Sequence, residues 1–264
     1  MIDSGNFTRD CLAVRDNSPL VLNITNYVAM NFTANVLLAA GASPMMTVCR
    51  DEVEELVARS SALVLNIGCL DAEQTALMRT AAAAAARLGK PWVLDPVGAG
   101  ASRLRTETSL SLISESGPAV IRCNASEIMA LAGEKTRSRG VDAACTCEEA
   151  LESAKMVARR AGAVVSVSGP VDHVTDGIVV ETIANGDALM PRVTAMGCAA
   201  TALTGAFLAV DKNAFDAALH AMAMMGLAGE KAAKDCPGPG SFAVRFIDEI
   251  GGFVPQHAAK LIRQ

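Results

Sequence analysis

Five short apolar runs recur along the chain: "PLVLNIT" (19–25), "ALVLNIG" (62–68), "PWVLDPVGAG" (91–100), "AVIRC" (119–123) and "AVVSVSG" (163–169). Runs of this length, bounded by Pro, Gly or polar residues, read as buried strands. Helix-forming segments separate them. Residues 26–41 put Phe32, Val36, Leu37 and Ala40 on one face, with Gly41 as a stop. Residues 71–90 carry an N-cap at Asp71 and a C-terminal stop at Gly89. The six alanines 81–86 between them give a small face that lets a helix lie close on a sheet. Further helices are predicted over 103–115, 124–133, 147–162, 198–210, 213–234, 240–251 and 255–263, with 134–145 as a loop. Such alternation predicts one α/β domain over residues 1–264, built on a largely parallel sheet. Asp176-Gly177, between two strand-like runs, predicts a hairpin at the sheet edge.

The bulk properties narrow the function classes. Hydrophobic residues make up 51% of the 264 residues, yet no apolar stretch is long enough to span a bilayer. That surplus fits a sheet covered on both faces, a subunit interface, or both. A net charge of −5, with no block of like charge, gives no footprint for nucleic acid or an anionic membrane. No basic stretch followed by an apolar core opens the chain, so a cytoplasmic protein without a secretion signal is expected. The eight cysteines contain no Cys-x-x-Cys, and Cys145-Thr146-Cys147 is too close a pair for an ordinary bridge. Reduced, buried thiols are the simplest reading.

In an open parallel sheet, ligands bind beyond the carboxyl ends of the strands. The polar residues collect there: Asn23, Thr25 and Asn26; Asn66 to Gly68; Asp95 with Gly98-Ala99-Gly100; Arg122, Asn124 and Glu127; Ser168-Gly169. Each has a plain structural use. Asn124 with Glu127 three residues on makes a capping-box pattern, and Asp95-Pro96 suits a turn. Arg122, closing a buried strand, calls for an anion nearby. Asp95 and Glu127 suit a divalent cation held through water. A further run ending at Val193-Thr194 is expected to turn through Ala195-Met196-Gly197 into a helix opening on Cys198, where unpaired N–H groups favour an anion. Glycine-rich turns, a helix start, a carboxylate pair and an arginine are the parts of a phosphoryl-transfer site.

Other phosphate-binding and hydrolytic signatures are missing. "AGEKT" (132–136) lacks the glycine spacing of a P-loop, and 98–103 reads "GAGASR", not G-x-G-x-x-G. His173, His220 and His257 are scattered, with no candidate serine nucleophile and acidic partner beside any of them.

The stretches "NITNYVAMNFTANVLLAAGASPMM" (23–46), "VLDPVGAGASRLR" (93–105), "IRCNASEI" (121–128), "VSG" (167–169), "VTAMGCAATALTGAF" (193–207) and "GSFAVRFID" (240–248) resemble, in order and spacing, the hydroxyethylthiazole kinase family of the ribokinase-like superfamily. The resemblance implies a three-layer α/β/α fold on a central, mostly parallel sheet. It implies ATP- and Mg²⁺-dependent phosphorylation of the primary alcohol of 4-methyl-5-(2-hydroxyethyl)thiazole in thiamine salvage. It also implies a homotrimer with thiazole sites between subunits. On the matching positions, Arg122 and Ser168 contact ATP with Asn124 in support, and Asp95 and Glu127 organise Mg²⁺. Asn26, Met46, Gly68 and Ala195 line the substrate site, the backbone at Met196 and Gly197 forms an anion hole, and Cys198 stands where many ribokinase-like enzymes carry an aspartate base.

The sequence departs from the family at Ala195-Met196, where Gly-Thr is usual. Ala195 cannot take positive φ cheaply, and Met196 puts a bulky chain where a hydroxyl is usual, so a narrowed pocket, slower transfer or a changed choice of alcohol is expected. A thiol at a helix start is expected to have a lowered pKa, though it is still a weak base for an alcohol, so a slow kinase is expected. Three alternatives remain open: a same-fold kinase for another vitamin-precursor alcohol, of hydroxymethylpyrimidine or pyridoxal type; a hydrate dehydratase, against which the cysteine argues; and a non-catalytic thiazole- or nucleotide-binding protein.

Overall fold

The computed structural model describes residues 2–134 and 150–264. Glu134 apart, the loop expected over 134–145 lies outside them, as does the Cys145-Thr146-Cys147 triplet. The elements run α1 (Ser4–Asn17), β1 (Leu20–Ile24), α2 (Met30–Ala40), β2 (Ser43–Met46), α3 (Val53–Arg59), β3 (Ala62–Asn66), α4 (Ala72–Leu88), β4 (Trp92–Asp95), α5 (Arg103–Ser116), β5 (Val120–Asn124), α6 (Ala125–Ala132), α7 (Leu151–Ala161), β6 (Val164–Ser168), β7 (Asp172–Thr175), β8 (Val180–Ile183), α8 (Met196–Leu208), α9 (Ala214–Ala233), α10 (Pro239–Gly251) and α11 (Pro255–Ala258).

The eight strands form one sheet in the order β2-β1-β3-β4-β5-β6-β7-β8. The pairs from β2 to β6 are parallel. The β7–β8 hairpin joins antiparallel at the edge, as Asp176-Gly177 predicted.

Alternation along the strands decides the layers. Leu22, Ile24, Leu63, Leu65, Leu94 and Ile121 pack with α3 to α7 on one face. Val21, Val64, Val93, Val120 and Val164 pack with α1, α2, α8, α9 and α10 on the other. The result is three layers, α/β/α, with both faces covered. α8 lies directly on the middle strands: a β-carbon on Gly205 would meet Val64 at 2.7 Å and Val21 at 3.3 Å.

The caps expected from sequence are present. Asp71 accepts from the Gln74 N–H, and Gly89 closes α4 in the left-handed region. Asn124 and Glu127 form the full capping box of α6. Three elements had no strong sequence signal. α1 has no acidic first turn and is held by a buried contact of 2.8 Å between Asp10 and His220 on α9. β2 and α3 are only four and seven residues long. Two boundaries also differ from expectation. Residues 26–29 precede α2, so Asn26 sits in a turn at the strand end. The run before Ala195 is a short 3₁₀ turn, Met190–Arg192, and not a strand; Pro191 lacks the N–H that a ladder needs. The six described cysteines are free as expected, but only Cys11 and Cys123 are buried, and Cys49 is exposed.

Candidate active site

The same alternation builds the site. Two residues after the valines of the α8 face come Asn23, Asn66, Asp95, Arg122 and Ser166, so the carboxyl ends of β1, β3, β4, β5 and β6 turn polar on the side where α8 begins. All five are buried. Burial of so many polar groups demands partners: Asn66 and Asp95 find them in one another, Arg122 in Ser168 and Asn23 Nδ2 in the Val21 carbonyl, while the buried Asn23 Oδ1 and Ser166 Oγ have none among the described residues.

Asn66 Nδ2 donates to Asp95 Oδ2 at 2.7 Å, and the Thr201 hydroxyl of α8 donates to the same oxygen at 2.7 Å. Among the described residues, Asp95 Oδ1 accepts no hydrogen bond from protein. Asn66 Oδ1 accepts from Asn26 Nδ2 at 2.8 Å and from the Gly68 N–H at 3.0 Å. Asn26 Nδ2 also reaches Cys198 Sγ at 3.4 Å. Gly68 must lack a side chain, since a β-carbon there would meet Asn26 Nδ2 at 2.6 Å.

Arg122 stands on the other side of Asp95. Its Nη2 donates to Ser168 Oγ at 2.6 Å, while its buried Nε has no partner among the described residues. The α8 start lies against it, for a β-carbon on Gly197 would meet Arg122 Nη1 at 2.7 Å. Ala195, the N-cap of α8, has φ +68°, the left-handed conformation that the sequence flagged as costly for alanine. The Met196 N–H donates to Val193 O at 3.4 Å. The Gly197 and Cys198 N–H groups donate to no protein atom among the described residues, as the first turn of a helix leaves them. The Met196 side chain, expected to narrow the pocket, is buried in the apolar core on the α8 face.

The electrostatics are those of a dry carboxylate pair beside one cation. Burial, opposed by the Arg122 charge and the two side-chain donors, raises the pKa of Asp95. Burial and then the Asp95 charge push Glu127 up to about 7, although the N–H groups of Gly98 and Asn124 each donate to it at 2.8 Å. Two mutually repelling buried carboxylates are a hard-oxygen donor set that suits Mg²⁺. With both Glu127 oxygens already bonded, a water-mediated contact fits best. Cys198 departs from expectation: burial and the Asp95 charge push its thiol up to about 11, against the lowering expected of a helix start.

Sequence reasoning thus placed Asn26, Gly68, Asp95, Arg122, Ser168, Gly197 and Cys198 in one connected cluster, with Asn124 and Glu127 beside it. Met46 ends edge strand β2 and pairs in register with Asn23; among the described residues no side-chain hydrogen bond ties it to the cluster. The sequence reading gave no role to Thr201, Arg105 or Asp172. The Arg105 guanidinium donates to the carbonyls of Ile67, Val97 and Gly68 at 2.7–2.9 Å and ties two strand-end loops together. Asp172 accepts from the Gly169 N–H at 2.9 Å, and burial pushes it up to about 7. Neither residue carries a pattern in the sequence.

The sequence profile described as the Hydroxyethylthiazole kinase family matches residues 12–255. A hydroxyethylthiazole kinase of Nitratidesulfovibrio vulgaris (strain DSM 19637 / Miyazaki F) is 52% identical over 242 residues, 92% of this chain and 91% of that one. The solved hydroxyethylthiazole kinase protein of Pyrococcus horikoshii OT3 superposes with a TM-score of 0.87 at 42% identity, covering 94% of each chain. A ribokinase-like superfamily protein of Enterococcus faecalis V583, at 11% identity, TM-score 0.66 and coverage of 91% and 89%, shares the fold alone. With a ribokinase-like sheet, and with sequence identity extending over nearly the whole length of its relatives, the chain belongs to the hydroxyethylthiazole kinase family.

Proposed function

We propose that this protein transfers the γ-phosphoryl group of ATP to the primary alcohol of 4-methyl-5-(2-hydroxyethyl)thiazole, as one kinase domain over residues 1–264, in cytoplasmic thiamine salvage. One observation supports this most directly. A buried Arg122, its Nε unpartnered among the described residues, and the open N–H groups of Gly197 and Cys198 meet at the start of α8, beside the Asp95–Glu127 pair. Such an array suits a polyphosphate better than a neutral ligand.

In this reading Arg122 and Ser168 hold the nucleotide phosphates, with Asn124 fixing the start of α6. Asp95 and Glu127 would hold Mg²⁺ through water, and the ion would supply charge compensation for the nucleotide phosphates. Asn26, Met46, Gly68 and Ala195 border the thiazole. The alcohol oxygen bonds to the γ-phosphorus as the bond to the β,γ-bridging oxygen breaks, ADP leaves, and the alcohol proton passes to Cys198 when that residue is ionised. At neutral pH a thiol with a pKa of about 11 is mostly protonated. Catalysis therefore rests on positioning and on the N–H groups at 196–198, with a base adding on the order of 10²–10⁴ where it acts.

A homotrimer with sites between subunits fits the surface beside the substrate residues. Tyr27 is 60% exposed, Val28 67% and Val48 52%, and edge strand β2 ending in Met46 is only half-buried. Light scattering on the purified protein checks the trimer; a monomer at working concentration overturns it. No helix among the described residues is long and apolar enough to cross a membrane.

The test of the activity is ADP release from Mg-ATP with and without the thiazole alcohol, with the phosphorylated thiazole identified by mass. Thiazole-dependent ADP supports the reading. Binding of both ligands without ADP supports the non-catalytic alternative, and ADP only with a pyrimidine or pyridoxal-type alcohol reassigns the substrate.

A further inference from the structure

We propose that Asn66 is the positioning residue of this site: its amide fixes the Asp95 carboxylate and the Asn26 amide relative to one another, so that the phosphate end and the alcohol end are set by one side chain. The inference rests on the kinase reading above and goes beyond it.

The geometry carries the assignment. Asn66 ends β3, between β1 and β4, and pairs in register with Asp95. Only 1% of it is exposed. Both ends of its amide are used, and in opposite senses. The oxygen accepts from Asn26 at 2.8 Å and from the Gly68 N–H at 3.0 Å, while the nitrogen donates to Asp95 at 2.7 Å. A flipped amide would set an oxygen against a carboxylate and an NH₂ against two donors, so the network allows one orientation. That orientation gives both halves of the site their register. Toward phosphate, Asn66 and Thr201 engage Asp95 Oδ2 and leave Oδ1 without a protein donor among the described residues. Toward the alcohol, Asn66 holds Asn26, whose amide contacts Cys198 Sγ at 3.4 Å. Among the described residues Asn66 makes no hydrogen bond to Arg122 or Ser168, so the two side chains assigned to direct ATP contact stand apart from it.

Two substitutions separate the two links. Asn66→Asp keeps the acceptor toward Asn26 and Gly68 but removes the donor to Asp95. Asn66→Ala removes both. The measurements are thermal unfolding, thiazole affinity by titration calorimetry, and steady-state kinetics with each substrate varied. For Asn66→Asp we expect kcat to fall by at least about 30-fold, with thiazole affinity within about threefold of the parent protein. For Asn66→Ala we expect a similar loss in kcat and a thiazole affinity weaker by about 10-fold, with the KM for ATP within about twofold in both variants. A folded Asn66→Asp with kcat within threefold of the parent overturns the proposal. So does equal weakening of ATP and thiazole in either variant, which marks a general loosening of the fold. If Asn66→Ala does not fold, Asn66→Asp decides alone. If neither folds, Asn66 is a folding residue and the proposal fails. The unsubstituted protein runs in parallel: absence of thiazole-dependent ADP there overturns the kinase reading and this inference together, whereas activity there with an indifferent Asn66→Asp overturns this inference only.

Discussion

Gly197 and Arg122 are packed so closely that a β-carbon on the glycine would stand 2.7 Å from Nη1 of the guanidinium. Gly197 is not among the glycines of positive φ, so closeness, and not backbone freedom, requires it. Gly197→Ala should fold, and should displace Arg122 from Ser168. The KM for ATP is expected to rise by about 10-fold. Arg122→Ala added to Gly197→Ala should then cost less than it does alone, because the two act on one contact. Full additivity in the double-mutant cycle would show that the guanidinium had not moved.

Cys198 gives a pH prediction. Its thiol is pushed up to about 11 by burial and by the Asp95 charge. The ionised fraction therefore climbs about tenfold per pH unit below that value. If the thiolate takes the alcohol proton, kcat rises between pH 7 and pH 10, and Cys198→Ala is both slower and flat over that range. A pH–rate profile with the same slope in both proteins would remove Cys198 as the base and leave it a wall of the pocket.

Asp172 links the hairpin to stability. Burial raises its carboxyl from 3.8 to about 7 in the folded protein. Such an acid holds its proton more tightly when folded, so its stabilising contribution is full below about pH 3.8 and is lost as pH rises through 7. Glu127, raised to about 7, acts in the same direction. The ligand-free protein should therefore melt at a lower temperature at pH 8 than at pH 5. Asp172→Asn keeps an oxygen for the Gly169 N–H and should flatten that decline without abolishing it. Melting curves at four pH values check this; an unchanged slope would mean that Asp172 is already ionised at pH 5.

Ala195 stores backbone strain at the entrance to α8, with φ +68°. A left-handed alanine costs roughly 1–2 kcal/mol, while glycine loosens the unfolded chain by about 0.4–1 kcal/mol. Ala195→Gly should leave the melting temperature unchanged or slightly raised. Ala83→Gly, at an exposed position inside α4, should lower stability by about 1 kcal/mol. Equal losses from the two would mean that Ala195 is not strained in solution. If thiazole turnover also rises in Ala195→Gly, the extra methyl crowds the reacting groups.

Much of the architecture follows from local chemistry. The five apolar runs marked five of the six parallel strands, because only residues buried on both faces read as near-continuous Val and Leu. Asp71, Gly89 and Asn124 marked helix ends through the orphan N–H and C=O groups they satisfy. Even the polar face of the site is written as a recurring triplet: Val21-Leu22-Asn23, Val64-Leu65-Asn66, Val93-Leu94-Asp95 and Val120-Ile121-Arg122. Read with period two, these triplets put every polar residue on the face of its valine.

Tertiary structure decided the rest, because the deciding forces act between residues far apart in the chain. α1 and β2 are weak by themselves and exist through the Asp10–His220 contact and the pairing of Ser43–Met46 with β1. That Arg105 faces three carbonyls, that Met196 turns into the core, and that the Cys198 thiol is raised instead of lowered are consequences of packing. Helix position alone predicted an acidic thiol. Desolvation and a carboxylate brought in from β4 outweighed it, and only the folded chain brings those two effects to the same atom.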